Sequence, residues 1–457
     1  MMERILNKDN LVSFGLLTLL FHSATSLLQY LVNINGVMVA DYILLGLMSA
    51  ATILYLGKQH IPIRFQPAQV LLILLMIWMI VSCVSMSITY NNDWVSYNII
   101  NLLNAAVEFF LAFPLGYILI REKKNALGRI LLHVLLISWT AFILFVLVNV
   151  FQGNTMISSN NTTIGMQGNH LYLGCYFNTS GAWELLFFLT CYFMIFWSKQ
   201  LSFRLIYGIS AVIHFAALSL TNSRTSIVSA LLGFVALTGI MIYLRREEKQ
   251  RPQKILLSAA VAIVAGVAFY FLSGFMLKLY NYCTSSTVSV RSTVENIAGD
   301  TTFNGRTRIW QATITGIFSS FRIAMFGVTP QSVPDFVNQM TDGAFNMYTH
   351  NQFLEIAAGI GIPGLCIFLA WFFIMIKDIF QLIFVQKNKT LFLFVPVMIL
   401  VLILSNMMEA IIVILFYFSG LAFFLLCGIL HGKVNEPIKP GEFPKWIGNM
   451  IKRKKKE

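Results

Sequence analysis

The sequence predicts an all-α, polytopic membrane protein with about twelve transmembrane helices and one large extracytoplasmic loop. Hydrophobic residues make up 57% of the 457-residue chain and charged residues only 11%, whereas about a quarter of the residues are charged in soluble proteins. Apolar runs of about 20 residues recur along the chain, and each is long enough to cross a hydrocarbon core of about 30 Å. Within such a run the backbone satisfies its hydrogen bonds only by forming a helix.

The apolar runs define spans that together form a single integral membrane domain over residues 1–457. The predicted spans are 11–33, 37–57, 67–89, 98–120, 128–151, 182–198, 204–221, 225–244, 255–276, 352–376, 391–406 and 408–430. The large loop falls between the ninth and the tenth of these spans.

The distribution of basic residues predicts the orientation of the chain. Alternate connecting segments, taken with the two termini, hold 26 of the 32 Lys and Arg residues. This is the positive-inside pattern, so we expect both termini and these segments in the cytoplasm. The net charge of +13 is then explained by orientation and by contact with anionic membrane lipids, and nucleic acid is not expected as a partner.

Three segments outside the predicted spans are too long to be turns. The first outer loop, 152–180, contains no Asp, Glu, Lys or Arg, and the large outer loop, 277–351, holds five of the six remaining basic residues. A loop as long as the second is usually a lid or binding element, or else disordered. The cytoplasmic tail, 431–457, is strongly basic and is either an interfacial helix on anionic headgroups or a disordered tail.

The segment SLTNSRTSIVS places Arg224 between two apolar runs at an external hairpin. A charge this close to hydrocarbon is costly, which makes it a candidate for a functional residue. The alternative is that the Arg224 side chain only extends to the lipid headgroups.

Two further segments belong to the large outer loop and to the beginning of the tenth span. In FNGRTRIWQATITGIFSS, Trp310, Ile314, Ile317 and Phe318 recur at helical spacing, and Arg306 lies one turn before Trp310. This predicts an amphipathic helix on the outer membrane surface. In YTHNQFLEIAAGIGIPG, His350 lies at the outer end of the span, and GIGIPG interrupts the span about two turns further on.

These segments resemble the O-antigen ligase and O-antigen polymerase superfamily of bacterial membrane glycosyltransferases, which use polyprenyl-diphosphate-linked glycans as donors. The resemblance rests on T-x-S-R at 221–224, G-R-x-x-x-W at 305–310, H-N-x-x-L at 350–354 and G-I-P-G at 361–364. GCYFNTSGAW at 174–183 is similar to a further element of the family. Each motif alone is weak, but their order and their predicted side of the membrane agree with the family.

The resemblance implies a GT-C-like fold in which helices surround an outer-leaflet cavity that the large loop caps. It also implies that Arg224 and Arg306 contact the donor diphosphate and that His350 is catalytic. Arg308 is an alternative to Arg306, because GRTR offers two arginines. The secondary candidates are Arg308, Asn351, Trp310, Tyr348 and Glu355.

The chemistry of such a transfer suits these residue types. Breaking the anomeric bond leaves negative charge on the diphosphate, and arginine is always protonated and donates two N–H groups to phosphate oxygens. Histidine accepts a proton near neutral pH, and the start of a helix favours its neutral form. For a lone histidine at a membrane interface, the alternative is a structural hydrogen bond. The external segments contain no Asp-x-Asp, His-x-x-x-His or cysteine cluster, so we expect no metal and no cofactor.

The resemblance places the protein in the bacterial cytoplasmic membrane with an extracytoplasmic active site. The expected partners are the lipid-linked glycan donor, a glycan or lipid-linked acceptor, membrane lipids and other polysaccharide-assembly proteins. Polymerisation of repeat units is favoured over ligation of a finished chain.

A secondary transporter or lipid-glycan flippase is the alternative from another class, because carboxylates such as Glu108 and Glu184 occur in the spans. The large loop and the lack of an internal repeat argue against it.

Overall fold

The computed structural model of the protein describes residues 66–90, 94–120, 126–154, 157–159, 162–168, 170–174, 177–245, 251–284, 305–385, 391–407 and 418–435, with 15, 17, 18, 44 and 46–52 nearer the N-terminus. Within these ranges, eight helices are long and apolar enough to cross a membrane, and two shorter apolar helices follow them. They overlap the third to the twelfth predicted spans, and the prediction of an all-α membrane protein is confirmed.

The remaining two predicted spans, 11–33 and 37–57, lie largely outside the described residues, although 46–52 are helical. Most of the basic tail, from residue 436 onward, also lies outside them.

The membrane helices are numbered in chain order. The helices of the bundle are α1 Pro67–Tyr90, α2 Trp94–Val107, α3 Phe113–Ile120, α4 Ala126–Phe151, α5 Phe177–Trp197, α6 Leu201–Thr221, α7 Arg224–Arg245, α8 Arg251–Thr284, α12 Gln352–Phe380, α13 Leu391–Asn406 and α14 Phe418–Val434. The same numbering includes three helices of the large outer loop, which are α9 Arg306–Ile317, α10 Phe321–Phe326 and α11 Val333–Met340. A π-helical turn, Glu108–Ala112, joins α2 to α3, and another, Gln381–Val385, extends α12. Helix α5 begins at Phe177 rather than at 182, and α8 continues to Thr284 rather than ending at 276.

The first outer loop contains the strands of the structure, which the prediction did not include. Strands β1 Ile157–Ser159, β2 Thr162–Gln167 and β3 His170–Leu173 form an antiparallel sheet in the order β1-β2-β3. The register pairs Ile164 with Ile157 on one side and with Leu173 on the other. Ile164, Leu171 and Leu173 are buried, so the sheet packs on the helices beneath it.

Close contacts between small residues and aromatic rings hold the membrane helices together. Gly116 of α3 and Gly428 of α14 allow the two backbones to touch, because a Cβ at Gly116 would lie 2.1 Å from the carbonyl oxygen of Leu425. Beside this contact, Trp371 of α12 packs against Phe424 with ring centroids 5.2 Å apart. Lipid tails are as apolar as the side chains, so membrane helices gain packing energy where small residues let their backbones approach closely.

Helices α5 and α7 run parallel to each other. Near the start of both helices Gly181 packs against Ser226, and two turns further Leu189 packs against Gly233. Phe177 and Arg224, the first residues of α5 and α7, therefore lie at the same end of the bundle.

Helix α13 runs in the opposite direction to α5 and α7. Val401 packs against Gly233 of α7, whereas Phe394 stacks on Phe193 of α5 at a centroid distance of 4.3 Å. The chain runs away from Arg224 along α5 and α7, and it runs back towards Arg224 along α13. The last residue of α13, Asn406, thus lies at the Arg224 end of the bundle.

The described part of the large outer loop packs on the bundle through α9, α10 and α11. The predicted amphipathic helix is present as α9, but its buried face consists of Ile309, Thr313, Gly316 and Ile317. Of the side chains predicted on that face, Ile317 is buried, whereas Ile314 is 46% exposed and Phe318 is 68% exposed. The reason is that α11 covers α9 at Gly316, where the glycine leaves room for the Phe336 and Met340 side chains of α11.

Helix α12 is broken two turns after it begins, as the GIGIPG segment predicted. Ile360 (φ −130°, ψ 16°) and Gly361 (φ 77°, ψ 173°) are not helical. The break frees carbonyl groups, and two of them find other donors: the backbone N–H of Val328 donates to Ala358 over 2.7 Å, and the indole N–H of Trp78 donates to Ile360 over 2.8 Å. The irregular segment after α10, which contains Val328, thus supplies a backbone hydrogen bond that the membrane helix α12 lacks at its break.

We predict that Gly361→Ala lowers the thermal stability of the protein. The φ and ψ angles of Gly361 lie in a region that is essentially restricted to glycine and costs other residues about 1–3 kcal/mol, and a Cβ there would lie 2.1 Å from the carbonyl oxygen of Met325. Thermal unfolding of the purified protein measures the effect. Gly274→Ala is the matched control, since a Cβ at this helical glycine meets nothing within 4 Å. Equal melting temperatures for the two variants would contradict the prediction.

Candidate functional site

Arg224 is the first residue of α7 and is half-buried. It follows a tight connection in which Asn222 ends α6 in the left-handed conformation (φ 52°). The Ser223 hydroxyl donates to the Ser226 hydroxyl over 3.1 Å, and both serines pack against Gly181 of α5. The T-x-S-R motif is therefore a rigid hairpin that fixes where the Arg224 side chain leaves the backbone.

The sheet of the first outer loop covers this hairpin. The Nδ1 atom of His170 lies 2.9 Å from the carbonyl oxygen of Thr221, which accepts a hydrogen bond from it, and the His170 ring stacks on Phe177 at 3.8 Å. The Leu173 N–H donates to the Ser180 hydroxyl over 3.1 Å. Burial raises the pKa of the neighbouring Tyr172 phenol, so this hydroxyl stays protonated at neutral pH.

Arg306 and Arg308 leave α9 on different faces. Arg306 is the first residue of the helix and is half-buried, and it lies one turn before Trp310. Arg308 is exposed, and its guanidinium lies 5.8 Å from the ring centroid of Phe345. Arg308 thus has an aromatic partner within the loop, whereas Arg306 lies on the same face of α9 as Trp310.

Trp310 links α9 to the residue before His350. Its indole N–H donates to the carbonyl oxygen of Thr349 over 2.9 Å. Because Arg306 and Trp310 are four residues apart on one helix face, this single bond fixes the start of α9 relative to the His350 backbone.

Glu355 holds the same turn from the other side. Its Oε2 atom accepts hydrogen bonds from the Thr349 N–H over 2.9 Å and from the Thr349 hydroxyl over 2.7 Å. The carboxyl group is fully buried, and its second oxygen has no hydrogen-bond partner. Glu355 also interacts electrostatically with His350, so a secondary candidate of the sequence analysis lies beside the main one.

His350 itself adopts a left-handed backbone conformation (φ 53°) and is half-buried. This conformation costs a residue with a side chain about 1–2 kcal/mol, and the hydrogen bonds on Thr349 and Asn351 stabilise it. The Asn351 side chain caps α12 by accepting from the N–H groups of Phe353 and Leu354 over 3.0 and 3.1 Å. His350 therefore lies directly before the N-terminus of a helix, as predicted.

Asn351 also connects His350 to the Arg224 end of the bundle. Its amide nitrogen donates to the carbonyl oxygen of Met407, at the end of α13, over 3.1 Å. Gly233 of α7 and Val401 of α13 are in contact and so lie at the same height. At about 1.5 Å per residue, Arg224 lies about 13 Å along α7 from this contact, and Met407 lies about 9 Å along α13 from it in the same direction. Arg224 and the His350 turn thus lie at the same end and at similar height.

The structure therefore brings most of the sequence-predicted site residues into one region. Arg306, Trp310, His350, Asn351 and Glu355 are joined through Thr349, and Arg224 reaches the same end on a separate helix. Tyr348 packs in the apolar cluster beneath α9. Among the residues that the structure describes, no three His, Cys, Asp or Glu side chains come together to hold a metal ion, and metal independence stays a prediction.

Comparison with known families supports the resemblance read from the motifs. Residues 209–369 match the family model described as O-antigen ligase. The matched region begins in α6, ends in α12 and contains Arg224, Arg306 and His350. The predicted resemblance to the O-antigen ligase and polymerase superfamily is thereby confirmed over these residues. No curated protein matches the chain.

The sequence analysis missed two parts of this region. The sheet that covers the hairpin consists of strands of only three to six residues, which are too short for their alternation to be recognised in the sequence. The role of Thr349 was also missed, because a lone threonine carries no signal of its own. The sequence did place Thr349 and Glu355 on either side of the start of a helix, and this spacing could have indicated a hydrogen bond between them.

We predict that Asn351→Ala destabilises the protein by about 0.5–2 kcal/mol, the usual cost of losing an N-cap. Asn351→Ser should lie between this variant and the wild type, because its hydroxyl still accepts from the helix N–H groups but no longer reaches Met407. Thermal unfolding measures the order. Asn346→Ala is the control, since Asn346 is exposed in the same loop. An Asn351→Ala protein as stable as the control would contradict the role of this cap.

Proposed function

We propose that the protein is a bacterial membrane glycosyltransferase that moves a glycan from a polyprenyl-diphosphate donor on the outer face of the cytoplasmic membrane. The observation that carries the proposal is the anchored turn at His350. Trp310, Glu355 and Asn351 hold this turn from three sides, and Arg306 lies one helical turn from the first of these bonds. The match to the O-antigen ligase model over the same residues supports it.

In the proposed reaction, an acceptor hydroxyl attacks the anomeric carbon of the donor. The new glycosidic C–O bond forms as the bond to the diphosphate breaks, and polyprenyl diphosphate leaves. His350 takes the proton of the hydroxyl as general base. Arg224 and Arg306 stabilise the charge that develops on the leaving diphosphate, as fixed cations under a loop that limits water. The N-terminus of α12 adds a partial positive charge at the same place.

Polymerisation of repeat units of a surface polysaccharide is the form of the reaction that we propose, with ligation to another acceptor as the alternative. Both reactions use the same donor and differ only in the acceptor. The protein would then work beside other polysaccharide-assembly proteins, without a cofactor and without a metal ion. Gene neighbours that encode a repeat-unit flippase and glycosyltransferases would favour the polymerase.

We predict that Arg224→Ala and Arg306→Ala abolish polymer formation while the amount of protein in the membrane stays normal. Lysine at either position should restore little activity, because an ammonium group cannot donate two parallel hydrogen bonds to a phosphate. Transfer by the purified protein, with lipid-linked glycan extracted from the producing cells as donor, measures the effect. Arg308→Ala is the matched control and should be milder than Arg306→Ala. The reverse order would assign the diphosphate to Arg308, and near-normal activity of Arg224→Ala would reduce Arg224 to a headgroup contact.

We predict that His350→Ala and His350→Gln lower the rate of transfer by about 10²–10⁴-fold, the usual contribution of a general base. Binding of the lipid-linked donor should change little, because the proton comes from the acceptor. The arginine variants should weaken donor binding as well, which separates the two roles. Single-turnover transfer and donor binding, measured on the same preparations, test this. A loss of less than about tenfold would leave His350 with a structural role only.

A further inference from the structure

A cavity of about 360 Å³ lies beside α11, away from the His350 turn. Met86, near the end of α1, contributes to its wall, and the other described lining residues come from the large outer loop, between 319 and 340. Small-molecule sites in proteins start at about 300 Å³. The cavity is therefore large enough for a compact unit such as one or two sugar rings, and too small for a long chain.

The lining has the chemistry of a sugar site. Asp335 and Gln339 are one turn apart on α11 and both are exposed, so a carboxylate and an amide line the cavity from the same helix face. Phe336 and Met340 line it beside them. A sugar ring has hydroxyl groups at its edge and C–H groups on its faces, and this pairing of polar groups with an aromatic ring suits both.

The far wall is rigid. Thr329 and Ser332 are buried, and their hydroxyl groups are hydrogen-bonded to each other over 2.7 Å. Thr329 has φ 72°, an uncommon conformation for a β-branched residue. Such conformations cluster at ligand sites, where the surrounding structure maintains them.

The charge of the lining selects among sugars. Asp335 is acidic, and none of the described residues that line the cavity is Lys, Arg or His; the neighbouring Arg322 donates a hydrogen bond to the carbonyl oxygen of Ser85 over 2.8 Å. An anionic sugar would meet the like charge of Asp335 with no cation among these lining residues, whereas neutral hydroxyls or an ammonium group would donate hydrogen bonds to the carboxylate. A hydrocarbon chain would bury the carboxylate and the amide without hydrogen-bond partners, which is costly.

The cavity is one helix away from Arg306. Helix α11 packs directly on α9, where Phe336 and Met340 touch Gly316, and Arg306 and Trp310 lie on α9. We propose that this cavity is a subsite that binds a neutral or amino sugar of the glycan substrate, beyond the sugar that reacts; the link to a glycan substrate rests on the proposed function.

Saturation-transfer NMR on the full-length protein in phospholipid nanodiscs, which contain no sugar detergent, tests the subsite. The probes are methyl N-acetylglucosaminide, glucosamine and methyl glucuronide, without any lipid donor. The first two should receive saturation from the wild type, and the glucuronide should not. The signal should fall to background in the double variant Asp335→Asn/Gln339→Ala and stay at the wild-type level in Asp342→Asn, an exposed aspartate of the same loop.

A glucuronide signal equal to that of the neutral sugar would overturn the subsite, and so would an undiminished signal in the double variant. Displacement of the sugar by farnesyl phosphate in the wild type and in Arg306→Ala alike would overturn it too, because the cavity would then hold the lipid. If the double variant does not fold, Gln339→Ala alone should weaken the signal severalfold, and an unchanged signal would count against the subsite.

The experiment separates the subsite from the proposed function. His350→Ala should bind the neutral sugar as the wild type does while it loses transfer. If His350→Ala keeps transfer, the assignment of the base fails and the sugar signal still decides the subsite. If the double variant binds sugar normally and His350→Ala loses transfer, the subsite fails and the proposed function stands.

Discussion

The break in α12 is the feature on which the arrangement of the site depends. In hydrocarbon, a backbone carbonyl without a partner costs several kcal/mol, so a membrane helix can be interrupted only where other groups supply the missing donors. Val328 of the outer loop and Trp78 of α1 are those donors. The loop is therefore attached to α12 by a hydrogen bond, from Val328, that the bilayer makes indispensable. This attachment lies between α10 and α11 and so also limits where α9 and α11 lie.

The break also gives the site a short helical segment with its own N-terminus. Residues 352–359 form two turns between Asn351 and Ile360, and their orientation is set by contacts at both ends rather than by the rest of α12. Asn351 ties the upper end to α13, and Trp78 ties the lower end to α1. His350 precedes this segment directly. Helix N-termini attract anions, which suits a reaction whose leaving group is a diphosphate.

The sequence predicted the bundle well and the extramembrane parts only in outline. Hydrophobic runs predicted the apolar helices because the bilayer imposes their length, and the glycines and proline of GIGIPG predicted the break in α12. The burial pattern of α9 was right for Ile317 and wrong for Ile314 and Phe318, since the side of the helix that α11 covers depends on the contact at Gly316. The position of Arg224 at the same end of the bundle as the His350 turn depends on the parallel packing of α5 and α7. Contacts between residues so distant in the chain have no local signal.

The buried carboxylates of the spans differ in how they are hydrogen-bonded. One oxygen of Glu184 accepts a hydrogen bond from the Trp139 indole, and the other pairs with His214, whose second nitrogen is hydrogen-bonded to Thr140. The position of this network between α5 and α6 suits a clamp that holds the Arg224 hairpin from below. Glu355 and Glu108 differ from Glu184, because each has a buried oxygen without a hydrogen-bond partner, and of these two Glu355 lies beside His350. A carboxylate with unused capacity thus occurs where the proposed chemistry needs a group that stabilises a protonated histidine, whereas the Glu184 network is closed on itself within the bundle.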